Sequence, residues 1–191
     1  AAQHLWLSAQ QRPDSCAAAF QYLNDHKLIS KQMLARRTQL ALQARQYDLA
    51  RQLLPQLAAD DRDWAEAWLQ MAANPRQALE NTQVPDESRY HAMLIEGVRL
   101  VARRDPARAR HLWHLLSHDY HFAHDDQDAM QQLLALQYAW HLMPDAGKEL
   151  AQVDVPNAEV LSGRVRSALR AQDWPAVLKA IAGLGSAAAT D

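Results

Sequence analysis

Apolar side chains recur along this chain every three or four positions, and no run of strict alternation marks a strand. Leu34, Thr38, Ala41 and Leu42 form one such stripe, followed by Leu49, Leu53 and Leu57. Met93, Leu94, Val98 and Val101 form a third, and Leu133, Leu136, Trp140 and Met143 a fourth. Residues 2–10, 15–27, 30–45, 47–58, 61–73, 86–104, 106–118, 125–142, 158–171 and 173–184 are therefore predicted to be helices. Asn74-Pro75, Asp105-Pro106 and Asp173-Trp174-Pro175 supply a side-chain acceptor next to a proline, which loses no hydrogen bond in a first turn. Pro55 falls inside an apolar stripe and is expected to kink or split the helix after Leu54. Residues 144–157, with Pro144, Gly147 and Pro156, read as the longest irregular stretch, and 185–191 as a flexible tail.

Connections of two to seven residues force successive helices to pack antiparallel. One motif recurs three times, in 40–57, 97–116 and 164–184: a helix ends in an Arg/Gln-rich turn, then an aspartate opens its partner. The pivots Asp48, Asp105 and Asp173 stand 57 and 68 residues apart, not the fixed 34 of a tetratricopeptide array. One helix pair cannot bury both its faces, so pairs stack into a solenoid. The predicted fold is all-α, an irregular superhelix of antiparallel helix pairs over residues 1–184.

With only 5 Gly in 191 residues, the chain lacks the turns of a β-sandwich and the glycine-rich loops that cradle phosphates. A net charge of -2 gives no field favouring nucleic acid or an anionic membrane. The pairs Arg36/Arg37 and Arg103/Arg104 read as solvated helix faces. No apolar run reaches the length of a membrane span. The single Cys16 excludes an internal disulfide and a multi-cysteine metal site.

Three groups carry candidate chemistry, each with a plainer alternative. His111, His114, His118, His121 and His124 cluster at a predicted helix end, where the first three share a face and imidazoles suit zinc. No HExxH pattern accompanies them, which favours a polar turn between helices. Trp64 and Trp68, four apart, and Trp6 have the flat surface that stacks on sugars, yet tryptophan also fills gaps between helices, as expected too of Trp113, Trp140 and Trp174. The triplets Asp60/Asp61/Asp63 and Asp125/Asp126/Asp128 fall at helix starts, where the positive helix end favours them without catalysis. No catalytic, cofactor-binding or metal residue is assigned.

Three stretches, in order, resemble the superhelical portion of the soluble lytic murein transglycosylases. They are Leu5–Leu57, with LWLSAQQRPDSCAAAFQYL and ARRTQLALQARQYDLARQLLPQL; Ala102–Met143, with ARRDPARARHLWHLL and QQLLALQYAWHLM; and Val160–Leu184, with GRVRSALRAQDWPAVLKAI. The resemblance implies a ring or horseshoe of helices in the periplasm around a separate lysozyme-like domain. There, an acid cleaves the bond between N-acetylmuramic acid and N-acetylglucosamine to leave a 1,6-anhydro sugar. No Glu-Ser followed by that domain's Gly-Leu-Met-Gln stretch occurs here. Glu66, Glu80, Glu87, Glu96, Glu149 and Glu159 lie in unrelated contexts, so no catalytic residue carries over. The segment itself is expected to be a non-catalytic scaffold, an excised or separately encoded part of such an enzyme. Its implied partners are the lysozyme-like domain and peptidoglycan glycan or peptide stems. Cys16 resembles a family cysteine that pairs with one in an earlier helix. The competing reading is a tetratricopeptide-like adaptor that binds another protein.

Overall fold

A computed structural model describes residues 6–7, 16–26 and 28–188, and among these every regular element is helical. The chain divides into two compact units, Ala1–Asn74 and Pro75–Asp191.

The first unit holds α1 (Ala17–Asp25), α2 (Lys31–Gln43), α3 (Tyr47–Leu53), a 3-10 turn (Leu54–Gln56) and α4 (Ala59–Ala73). Of the predicted helix 2–10, all but Trp6 and Leu7 lies outside the described residues. Ser30 caps α2 by accepting the Met33 N–H at 3.2 Å. The predicted stripe Leu34, Thr38, Ala41 and Leu42 is buried, and the Thr38 hydroxyl donates to the Leu34 carbonyl at 3.0 Å, so no polar group is stranded there. Arg37 is buried beside them, its guanidinium 4.5 Å from the Trp6 ring centre. Pro55 splits the next helix as expected: α3 ends at Leu53 and the chain tightens into the 3-10 turn. Arg62, one turn into α4, then donates Nε to the Leu54 carbonyl (3.2 Å) and Nη2 to the Leu57 carbonyl (3.1 Å). The Leu54 carbonyl, which also accepts the Leu57 N–H, and the Leu57 carbonyl thereby gain a charged donor.

The second unit runs through α5 (Pro75–Glu80), α6 (Ser88–Ala102), α7 (Pro106–Asp119), α8 (His124–Trp140), α9 (Ala146–Ala151), α10 (Ala158–Ala171) and α11 (Trp174–Ala188). The short α5 and α9 were not among the predicted helices: with six residues each, neither gives a readable period. α11 extends to Ala188, four residues past its predicted end. α8 packs against α6, α7, α9 and α10. That enclosure corrects the fourth predicted stripe. Trp140 is 51% exposed, and the buried positions are Met130, Leu134, Ala135, Leu136, Tyr138 and Ala139. A helix buried on several sides has no single apolar face to read, and here alanines share its contact surface. Met93, Leu94, Val98, Met130, Leu134, Leu150 and Val160 are almost fully enclosed, each worth about 1.5–3 kcal/mol of apolar burial.

The Arg/Gln-rich turns at Arg45 and Gln172, but not the one at Arg103, share with the turn at Leu142 a geometry that the scarcity of glycine conceals. Arg45, Leu142 and Gln172 follow α2, α8 and α10 with φ of 59°, 55° and 56°. Each is flanked by the paired 6→1 and 5→2 bonds of a Schellman motif: Gln46 N–H to Ala41 O with Arg45 N–H to Leu42 O, and equivalents at Met143/Leu142 and Asp173/Gln172. Asp105 and Asp173 then cap the following helices, accepting from Arg108 N–H at 2.9 Å and Ala176 N–H at 3.1 Å. Asp48 does not cap. It lies in the first turn of α3 and pairs with Arg51 at 2.8 Å.

Candidate functional site

The histidine cluster disperses over the end of α7 and the start of α8. His111 and His114 point to solvent. The others face carboxylates, not one another: His118 Nδ1 is 2.9 Å from Asp119, His121 Nδ1 2.7 Å from Asp86, and His124 Nε2 3.5 Å from Asp128. Among the described residues, no three His, Cys, Asp or Glu side chains converge as metal ligands.

Asp86, which no local sequence pattern singles out, organises this region. It lies in the loop between α5 and α6. One oxygen is 2.5 Å from Nε2 of the buried His91, and the other meets the His121 ring. The His121 backbone N–H also donates to Asp86, at 3.2 and 3.3 Å. Hydrogen bonds from His121 and then His91 hold the Asp86 carboxyl at about 2, far below its usual range. His91 packs against Phe122, ring centres 4.8 Å apart, and Phe122 against Trp113 at 4.6 Å. One carboxylate thus fastens the α5–α6 loop and the α7–α8 turn over an aromatic plug.

A second carboxylate does similar work beside it. Glu80 accepts from Arg76 at 2.9 Å within α5 and from Arg108 of α7 at 2.5 Å. Bonds from Arg76 and then Arg108 lower its pKa. Between these fastenings lies a cleft of about 620 Å³ floored by Leu79, Leu112, Leu115 and Leu116. Its acids are engaged by arginine and histidine, so the walls present no carboxylate pair free to exchange protons across a bond.

The tryptophans proposed for sugar stacking are interior. Trp64 is 4% and Trp68 1% exposed, packed edge to face at 5.5 Å, and Trp6 is buried under Arg37. Burial of both ring faces removes them from any glycan, which corrects that alternative. Trp113 is also buried, whereas Trp140 and Trp174 are open to solvent. Asp60 and Asp61 occupy the first turn of α4, Asp125 and Asp126 that of α8, the ordinary place for acids at a helix start. Cys16 is a half-buried free thiol.

This arrangement of helix pairs recurs in solved structures. The chain shares its fold with part of the soluble lytic transglycosylases. An inactive mutant of the lytic transglycosylase Slt from Pseudomonas aeruginosa matches 94% of the chain at 25% identity, with a TM-score of 0.74. The 70-kDa soluble lytic transglycosylase in complex with bulgecin A matches 95% at 22% identity and TM-score 0.77. Slt70 from Escherichia coli matches 95% at 21% identity and TM-score 0.76. In each case the chain spans 30% of the lytic transglycosylase's length. No family model and no curated protein sequence matches the chain.

Proposed function

We propose that this chain is a non-catalytic helical portion of a periplasmic lytic transglycosylase, whose separate lysozyme-like domain cleaves peptidoglycan between N-acetylmuramic acid and N-acetylglucosamine with 1,6-anhydro ring formation. The observation that carries the reading is the likeness to Slt over 94% of the chain but only 30% of Slt. The chemistry of the fastenings supports it. Asp86 and Glu80 have their lone pairs committed to imidazole and guanidinium groups, which suits groups that hold helices in place and not groups that titrate during a reaction. In this reading the segment's partner is the catalytic domain, which it positions against the glycan.

The test is to express the complete reading frame that contains these residues and incubate the product with purified sacculi. Mass spectrometry should detect released 1,6-anhydromuropeptides with the full protein and none with residues 1–191 alone. A reading frame without a lysozyme-like domain, or anhydromuropeptides released by residues 1–191, would overturn the proposal.

A further inference from the structure

Several joints in the molecule are closed by guanidinium groups, which keep their charge across the whole working range of pH. Arg62 grips the Leu54 and Leu57 carbonyls, and Arg108 reaches Glu80. Arg164 gives Nε to the Leu150 carbonyl at 3.0 Å and Nη2 to the Val153 carbonyl at 2.8 Å. The joint between the α5–α6 loop and the α7–α8 turn is built differently. Two imidazoles close on Asp86 there, and imidazole is the side chain whose charge ordinarily changes between about pH 5 and 8.

A carboxylate only accepts, so the nitrogens that face it, Nε2 of His91 and Nδ1 of His121, carry hydrogen. The two rings play unequal parts. His91 is buried, its ring centre 4.8 Å from that of Phe122 and 6.3 Å from that of Tyr120, and forms a fixed seat for one oxygen. The His121 side chain is 94% exposed, so its Nε2 stands in water. A proton added at Nε2 leaves the Nδ1–H···O bond in place and turns a neutral donor into a charged one, roughly twice as strong. Exposed ion pairs are ordinarily worth little, because two side chains must be ordered to make them. Here the ordering is already in place: His91 fixes Asp86, and the His121 backbone N–H donates to the same carboxylate at 3.2 and 3.3 Å. The neighbouring charges are engaged elsewhere. Glu80 of α5 pairs with Arg76 and with Arg108 of α7, Asp119 of α7 with His118, and Asp128 of α8 with His124. On α6, Arg89 lies over the Tyr90 ring at 5.0 Å, and Glu87 at its start is exposed.

We propose that His121 and Asp86 form an acid-tightened latch. Protonation of His121 draws the α5–α6 loop onto the α7–α8 turn, and loss of that proton lets the two part at the cleft floored by Leu79, Leu112, Leu115 and Leu116. The inference rests on this joint alone and stands apart from the transglycosylase reading.

The His121 amide reports the latch directly, because it donates to Asp86. Its exchange with water is followed by NMR in the whole chain and corrected for the intrinsic rate at each pH. Protection is expected to be about threefold or more higher at about pH 5.5 than at about pH 8. In His121→Gln the side-chain amide can still donate to Asp86 but takes up no proton, so protection at position 121 should not change between the two. The position is exposed, and the variant should keep the parent's circular dichroism. Equal protection at both pH values in the parent, or the same rise in His121→Gln, would overturn the proposal.

Discussion

Asp86 and His121 meet at 2.7 Å although they stand 35 residues apart, and their contact closes the α5–α6 loop onto the α7–α8 turn. The direction of the Asp86 shift fixes its pH signature. Its folded pKa of about 2 lies below the usual carboxylate value, so its stabilising effect is complete above about pH 4 and fades as pH falls towards 2. Asp86→Asn should therefore lower the urea midpoint at pH 6, and the gap from the parent should narrow steadily below pH 4. A gap that persists unchanged at the lowest pH would sink this account.

Arg62 should matter well beyond its surface position. Arg62→Met keeps much of the aliphatic stem but leaves the Leu54 and Leu57 carbonyls without their charged donor. A loss of about 2 kcal/mol is expected from urea unfolding, since hydrogen bonds from charged groups are worth about 1.5–3 kcal/mol and this site is partly wet. A loss within ~0.5 kcal/mol would mean water replaces the guanidinium freely.

The tryptophans separate by burial. Trp68→Ala should cost about 3–5 kcal/mol, the range for removing an enclosed indole, whereas Trp140→Ala should change stability by less than about 1 kcal/mol. Thermal melts of the two variants would show whether the aromatic side chains pack the core or serve a surface.

Gly147 and Gly163 predict opposite signs for one substitution. Alanine at Gly147 meets open space, so Gly147→Ala should stabilise by about 0.5–1 kcal/mol through helix propensity. At Gly163 the new Cβ would sit 3.2 Å from Leu150 Cδ2 and 3.8 Å from Leu136 Cδ2. Leu150 is completely buried and has nowhere to retreat, so Gly163→Ala should destabilise by about 1 kcal/mol despite the same propensity gain. Equal signs in chemical denaturation would refute the packing argument.

The left-handed turn at Gln172 offers a further check. A side chain in that conformation costs about 1 kcal/mol relative to glycine. Gln172→Gly should raise stability by about that amount. A fall would show that the glutamine side chain makes contacts that outweigh its backbone strain.

The sequence made the architecture readable where one face of a helix meets one neighbour, as in Leu34 to Leu42 or Met93 to Val101. It misled where a helix is enclosed, which is why Trp140 read as core and Met130 and Leu134 did not. The three Schellman turns were hidden because Arg45, Leu142 and Gln172 stand where glycine is the usual signal. The histidine run drew attention through spacing along the chain. Its actual organiser is Asp86, a side chain 35 residues upstream of His121, and no local pattern encodes such a meeting. Arg164 was equally silent, because its partners are main-chain oxygens that carry no residue identity.

That last property has an evolutionary consequence. Arg62 and Arg164 hold irregular segments by Leu54, Leu57, Leu150 and Val153 carbonyls, which any amino acid at those four positions would supply equally well. Each joint therefore hangs on one charge and makes no demand on the identity of the residues it grips, which at Leu57, Leu150 and Val153 is set by burial of the side chain instead. Such joints would let a helical framework keep its course while most of its letters turn over.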